Sequence, residues 1–398
     1  MRRWVSAAAA AAALALSGSA NANDGRSIAM GNTGSAFIDA GSAIYQNPAL
    51  MSQIQGGAVT LGFAPKFTSL TTPLAGPYTK IDNTSGFSPV FIAGGAYRLG
   101  RGFVAGMAIY PVSALGATYE KVRELGGFDV KTSLYSIDFS PGVSYEINEY
   151  VSVGAAWRIS YTSLSLQQPG LPPGGMAPVQ IEQSATGVSF LGAHLGALVR
   201  PTKRMRVGLT YRSKMTTDLS GTTKLGPTEL DAETKFSWPH QLRAGLAYNF
   251  LEDGSLLLSV DARYIFYKES NKRLTVSQEL NGVPVPDQTL ELGWRDSVIF
   301  GAGGEYLLDG TYAFRAGYGV QRSQISPKRP NYTATPPTLI HSIHAGVGLK
   351  LAHWDVDLGG FFDFASKTID TPQPGSGNPG EYKTSGLALA LSGTFRFN

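Results

Sequence analysis

TSGLALALSGTFRF, residues 384–397, sets Leu387, Leu389, Leu391, Phe395 and Phe397 against Ala388, Ala390, Ser392, Thr394 and Arg396. A two-residue period puts these sets on opposite faces of a β-strand, one wholly apolar and the other small or polar. Such a strand fits the boundary between lipid and a wetter interior, and a soluble sandwich strand reads the same way. Recurrence of the pattern down the chain, behind an export signal, favours the membrane. Arg2 and Arg3 precede an apolar run from Val5 to Leu16, and Ala20-Asn21-Ala22 supplies a cleavage site, so residues 1–22 are expected to be a signal peptide. After that run no stretch of about 18 uncharged apolar residues recurs, so no helical membrane anchor is expected.

Composition agrees. The chain has 48 glycines, 18 tyrosines and 19 phenylalanines, yet only 16 % charged residues. A mean hydropathy of −0.04 conceals a sorted pattern, because lipid-facing and lumen-facing residues cancel along each strand. The absence of cysteine excludes a disulfide framework and thiolate chemistry. Without Arg2 and Arg3, 31 basic residues face 29 acidic ones, too balanced for nucleic acid as a partner.

Between residues 56 and 398 the alternation defines about fourteen strands, the first near Gly56–Ala64, the third near Phe103–Val112 and the last Thr384–Phe397. The fold class is therefore all-β, a transmembrane antiparallel barrel with an even strand number. Short turns, such as Gly100–Gly102 and Asp309–Gly310, alternate with long links, such as Pro65–Phe87, Ser113–Thr132, Gln167–Ser184, Ser277–Thr289, Ile325–Thr338 and Asp370–Lys383. Short turns belong in the periplasm and long loops outside. Trp238, Trp294, Tyr150 and Tyr211, near strand ends, read as interfacial girdle residues.

The pleat sends a set of charged residues inward: Arg158, Arg204, Arg206, Arg212, Arg243, Arg263, Arg315 and Arg396, with Asp138, Asp261, Glu305, Asp355, Asp357 and Asp363. These either pair with one another inside the barrel or leave an arginine, with Arg158, Arg206, Arg212 and Arg315 as candidates, to hold a substrate carboxylate by bidentate hydrogen bonds. Catalysis is not expected. There is no G-x-S-x-G elbow and no H-E-x-x-H pair, and His341 points outward where His344 points inward, so no metal site and no cofactor follow, although Ser342 or Ser189 lies near an inward histidine.

Residues 23–55 break the strand pattern. Their small residues suit close packing, and Ile28, Met30, Phe37, Ile38, Ile44, Tyr45, Leu50 and Met51 are too many apolar groups for a disordered extension, so a hatch in the lumen is expected.

SIAMGNTGSAFIDAGSAIYQNPALMS (27–52), FSWPHQLRAGLAYNF (236–250), WRDSVIFGAGGEYLLDGTYAFRAGYGVQRSQI (294–325) and HSIHAGVGLKLAHWDVDLGGFFDF (341–364) together resemble the long-chain fatty acid transporter family of outer-membrane proteins, the FadL and TodX type. The resemblance spans essentially the mature chain. It implies a hatch-plugged barrel of the bacterial outer membrane that takes up hydrophobic small molecules, long-chain fatty acids first, aromatic hydrocarbons or other lipids as the alternative, without energy input. Substrate is caught at outer loops and leaves sideways beside a kinked third strand. Asn47, Pro48 and Ala49 match the hatch motif, and in the third strand Gly106 or Pro111 marks the kink. The loop QPGLPPGGMAPVQIEQS (168–184) is shorter than the family's capture loops, with Leu171, Met176, Val179 and Ile181 as its apolar contacts. Outer-membrane lipid, lipopolysaccharide and the barrel assembly machinery are the other implied partners. A surface adhesin or polar porin on the same barrel is the competing reading, and it lacks the plug.

Overall fold

Leu387, Leu389 and Leu391 are 46, 56 and 59 % exposed, whereas Ala388, Ala390 and Ser392 beside them are 2, 1 and 3 % exposed. A soluble sandwich buries its leucines; here they turn outward, as lipid requires. The computed structural model describes residues 24–170, 177–270 and 272–398; the expected signal peptide, Leu171 and Met176 lie outside the described residues.

Among the described residues, 21 hydrogen-bonded segments form one sheet that closes as a 14-strand antiparallel barrel. β1 is Gly57–Phe63 continued by Lys66–Thr72, and β2 is Phe91–Gly100. β3 to β6 are Phe103–Val122, Phe128–Glu146, Val151–Gly170 and Val179–Thr202. β7 (Met205–Arg212, Met215–Leu225), β8 (Thr228–Trp238, Gln241–Asn249), β9 (Leu256–Ile265, Arg273–Leu280) and β10 (Val283–Glu291, Ser297–Leu308) each continue past an interruption. β11 to β14 are Tyr312–Arg322, Leu339–Lys350, Trp354–Ile369 and Gly380–Phe397. β14 returns to β1 with Gly57 opposite Phe397 and Phe63 opposite Leu391, which removes the exposed edge of the sheet.

The order of strands follows the sequence pattern, but several outer links do not. Ser113–Thr132, Gln167–Ser184 and Ser277–Thr289, expected as loops, are largely the upper parts of strand hairpins. Above the lipid band both faces meet water or protein, so the apolar period that marks a strand disappears while the backbone ladder continues. Trp238 and Trp294 are a second correction. Both are 5 % exposed and turn inward, Trp238 onto Phe236 with 5.0 Å between ring centres and Trp294 onto Tyr267 at 5.6 Å. They belong to an aromatic core inside the upper barrel, while Tyr150 stays exposed at its strand end.

Residues 24–54 fill the lower lumen. Asp24 caps the first helical turn, α1 (Gly25–Ala29), by accepting the Ser27 N–H at 2.8 Å; α2 (Ala43–Gln46) and a 3₁₀ turn (Pro48–Gln53) follow. Ile28, Met30, Phe37, Ile38, Ile44, Leu50 and Met51 are each at most 1 % exposed, and burying such side chains stabilises by about 2 kcal/mol apiece.

Candidate functional site

The hatch backbone approaches the wall where the wall has no side chains. A Cβ at Gly208 would meet the Ser35 carbonyl oxygen at 2.0 Å, one at Gly154 the Pro48 carbonyl carbon at 2.4 Å, and one at Gly317 the Gly31 nitrogen at 2.3 Å. Gly208→Ala is therefore expected to push the hatch off its seat, at a cost of about 1–3 kcal/mol, and to raise ion conductance in planar bilayers. Gly393→Ala, where nothing lies within 4 Å, serves as the silent comparison.

Polar groups also tie the hatch to the wall. Asn47 accepts the Ala49 N–H at 3.0 Å and donates to the Ser35 and Ala197 carbonyls at 2.9 and 3.0 Å, joining two hatch segments to β6. Its backbone is extended, as Pro48 imposes. Asp261 on β9 accepts from Gly34 N, Ser35 N and Ser35 Oγ. Arg26 donates to Glu305 on β10 at 2.9 and 2.7 Å and to Asp39 at 3.2 Å.

Above the hatch is a partly enclosed cavity of about 100 Å³. Ile28, Gly31 and Asn32 of the hatch border it, as do Leu70, Val90, Ile340 and Phe361 of the wall and Thr335 of an outer loop. Outer loops knit together over this end of the barrel. Tyr119 donates to the Tyr332 carbonyl at 2.6 Å, Asn378 N donates to the Tyr332 hydroxyl at 2.6 Å, and Tyr382 donates to the Asn378 carbonyl at 2.7 Å. Burial in that cluster pushes the Tyr332 phenol up to about 12.

The cavity borders a break in the wall. β2 pairs with β3 from Gly100 opposite Phe103 as far as Ala93 opposite Ile109. Beyond Ile109, β3 meets that side of the wall again at the bridge between Ser85 and Thr118. Pro111 sits at the start of the unpaired stretch, beside a bulge against β4, and has no N–H to offer. β1 breaks at Ala64–Pro65, and Pro89–Val90 separate the short strand Phe87–Ser88, paired with the second half of β1, from β2, so three adjacent strands have a proline at or beside the interruption. Ala64, Ser88, Val90 and Gly116 belong to both the break and the cavity lining. Gly106, the other kink candidate, is regularly paired with Ala96 and Gly142; its lack of a side chain instead admits Met51 of the hatch, whose sulfur would lie 2.7 Å from a Cβ there.

The four candidate arginines lie elsewhere. Arg158 is 2 % exposed and bonded to Asp138 at 2.6 Å; Arg315 is buried between Glu305 at 2.6 Å and Asp357 at 2.8 Å. Arg212 donates to the Tyr45 carbonyl and lies over the Tyr45 and Tyr110 rings, 4.7 and 5.6 Å from their centres. Arg206 is half-buried on β7, within electrostatic reach of Arg26, Asp39 and Glu305. Arg204 is turned out to Glu252, because it sits in the periplasmic turn before β7 where the pleat no longer governs direction. The basic side chain that does line the cavity is Lys66, paired with Asp363 at 2.6 Å and lying 5.5 Å from the centre of the Phe361 ring. No sequence signal distinguished it, since it falls just after Pro65 in a stretch read as loop. Val179 and Ile181 are half-exposed at the tip of the β5–β6 hairpin, opposite Gly170 and Gln168, outside this cavity.

A family model described as outer membrane protein transport protein (OMPP1/FadL/TodX) matches residues 3–397. Comparison with curated proteins gives no match. Among solved structures, the fold is similar to a Pseudomonas aeruginosa FadL homologue, with 17 % identity, a TM-score of 0.81 and coverage of 96 % of this chain and 99 % of the other. It is also similar to the Pseudomonas putida toluene transporter TodX (18 %, 0.73, 97 % and 100 %) and the Ralstonia pickettii toluene transporter TbuX (21 %, 0.71, 95 % and 99 %). At these identities the structures speak for the fold, and the family model, which covers nearly the whole chain, carries the assignment: the chain belongs to the OMPP1/FadL/TodX family of outer-membrane channels for hydrophobic substrates.

Proposed function

We propose that, after removal of residues 1–22, the protein carries hydrophobic molecules across the outer membrane without energy input, through the cavity above the hatch and out sideways at the break beside Pro111. One observation carries this reading: the cavity is floored by the hatch and bordered by the proline-lined break, so a solute reaches lipid without crossing a water-filled lumen. Residues 23–55 then act as the hatch, with Asn47, Pro48 and Ala49 fixing its last turn to β6, and residues 56–398 as the barrel. Val179 and Ile181 offer apolar contact to arriving solute at the outer hairpin.

Compact solutes fit better than long-chain fatty acids. A cavity of about 100 Å³, two-thirds of the ~150 Å³ that holds benzene in an engineered core, is nearer the scale of a single ring than of a long acyl chain. Its cation, Lys66, is already paired with Asp363, which repels a second carboxylate. The solved toluene transporters of similar fold are in keeping with this preference. A fatty acid remains the second reading, its chain lying through the break.

Uptake of radiolabelled toluene and oleate by cells lacking their own transporter tests the proposal. Toluene uptake is expected to exceed that of oleate and to fall about tenfold in Ala64→Trp, which fills the cavity beside the break, at equal surface level. Undiminished uptake in that variant would sink the route.

A further inference from the structure

His344 on β12 links the cavity to the hatch. Its Nδ1 lies 2.7 Å from the Ile28 carbonyl oxygen and its Nε2 2.8 Å from Ser342 Oγ. A carbonyl cannot donate, so Nδ1 carries the hydrogen. The ring is 2 % exposed and bonded to no carboxylate, and burying it charged on these partners is unfavourable, so it is neutral and Nε2 is an acceptor. Ser342 must therefore spend its own hydrogen on Nε2. What Ser342 then presents to the cavity it lines is lone pairs.

Two further cavity residues complete the pattern. Asp363, directly opposite Ser342 across β12 and β13, has a buried Oδ1 without a hydrogen-bond partner. Gln321, inward on β11 and one pleat above Gly319, has a buried amide nitrogen without one. Gly319 faces Ser342, and a Cβ there would lie 2.4 Å from Ser342 Oγ, so the spot is kept open by the absence of a side chain. In a cavity that Lys66, Thr68, Ser88, Thr335 and Thr384 also line, this corner sets the acceptors of Ser342 and Asp363 beside the Gln321 amide. A hydroxyl donates once and accepts once. A hydrocarbon does neither, and a carboxylate brings only lone pairs toward Ser342 and Asp363.

We propose that the cavity is a recognition site for hydrophobic molecules bearing one neutral hydroxyl, phenols of single-ring size, with Ser342 accepting the ligand's hydrogen. The proposal rests on the uptake route above and names its substrate class. It is tested by equilibrium binding to the purified barrel in detergent, using p-cresol, toluene and p-toluate, which share a methyl-substituted ring. The expected result is binding of p-cresol about tenfold tighter than of either other compound, the worth of one added hydrogen bond. Ser342→Ala should bring p-cresol to within about twofold of toluene, and Ser342→Thr, which keeps the hydroxyl, should restore the preference. Toluene or p-toluate binding as tightly as p-cresol, or a p-cresol preference that survives Ser342→Ala, would overturn the hydroxyl assignment while leaving hydrophobic uptake standing. Binding of none of the three would overturn the cavity as a substrate site altogether.

Discussion

Deleting residues 24–54 turns a poorly conducting barrel into an open pore: single-channel conductance in planar bilayers is expected to rise by more than about tenfold, because a barrel of this strand number is wide enough to conduct water once unfilled. The hatch supplies much of the apolar filling of the lower lumen, and the wall glycines it rests on have no side chains with which to replace it. Gly154, Gly196, Gly208, Gly303 and Gly317 all face hatch atoms closer than a Cβ tolerates. Without the hatch these positions become empty grooves between inward polar groups such as Arg243, Asp261, Glu305 and Arg315, a surface that water enters readily. The barrel itself is expected to persist, since its closure rests on the ladder between β1 and β14 and not on the hatch. An adhesin or polar porin has no such dependence. Conductance that stays unchanged on deletion, with the barrel folded, would show that the lumen is closed elsewhere.

The second large effect belongs to Asp261→Ala. Asp261 is 6 % exposed and accepts from Gly34 N at 3.1 Å, Ser35 N at 3.2 Å, Ser35 Oγ at 2.9 Å and Arg243 Nε at 2.8 Å. Arg243 in turn donates to Gln46 Oε1 at 2.5 Å and to the Asn32 carbonyl at 2.9 Å. Removing the carboxylate leaves the Arg243 guanidinium buried with only neutral acceptors and frees the 34–35 turn. Breaking one side of a buried ion pair costs about 3–5 kcal/mol. The loss is expected as a lower denaturant midpoint in detergent together with raised conductance. Asp261→Asn keeps a carbonyl acceptor and should lose less of both. Because the pair is buried, added salt should change neither variant's deficit. An unaltered midpoint in Asp261→Ala would mean that the hatch is held by packing alone.

The barrel was legible because lipid demands one kind of side chain on every second residue, so Leu387, Leu389 and Leu391 announced both strand and face. The same rule carried inward the pairs Arg158–Asp138, Arg243–Asp261 and Arg315–Glu305, which are the internal lattice weighed against a substrate-binding arginine. It failed above the membrane, where β3 to β6 and the β9–β10 hairpin continue without an apolar period, and where Trp238 and Trp294 pack inward. Of the two residues weighed for the kink, Gly106 stays in register on both sides and Pro111 stands where the β2 ladder stops.

The sequence by itself determined the strand count, the order of strands, the face each residue takes within the lipid band and the apolar character of the segment before the first strand. These depend on local periodicity, which a single strand displays without its neighbours. The tertiary structure decided which distant residues meet. Pro65, Pro89 and Pro111 are far apart along the chain and coincide through register alone, and Lys66, Asp363, Ser342 and Ile28 converge on one cavity only after the barrel closes and the hatch seats. Register and plug position are sums over many weak pairings around a closed ring, so no stretch of the chain encodes them locally.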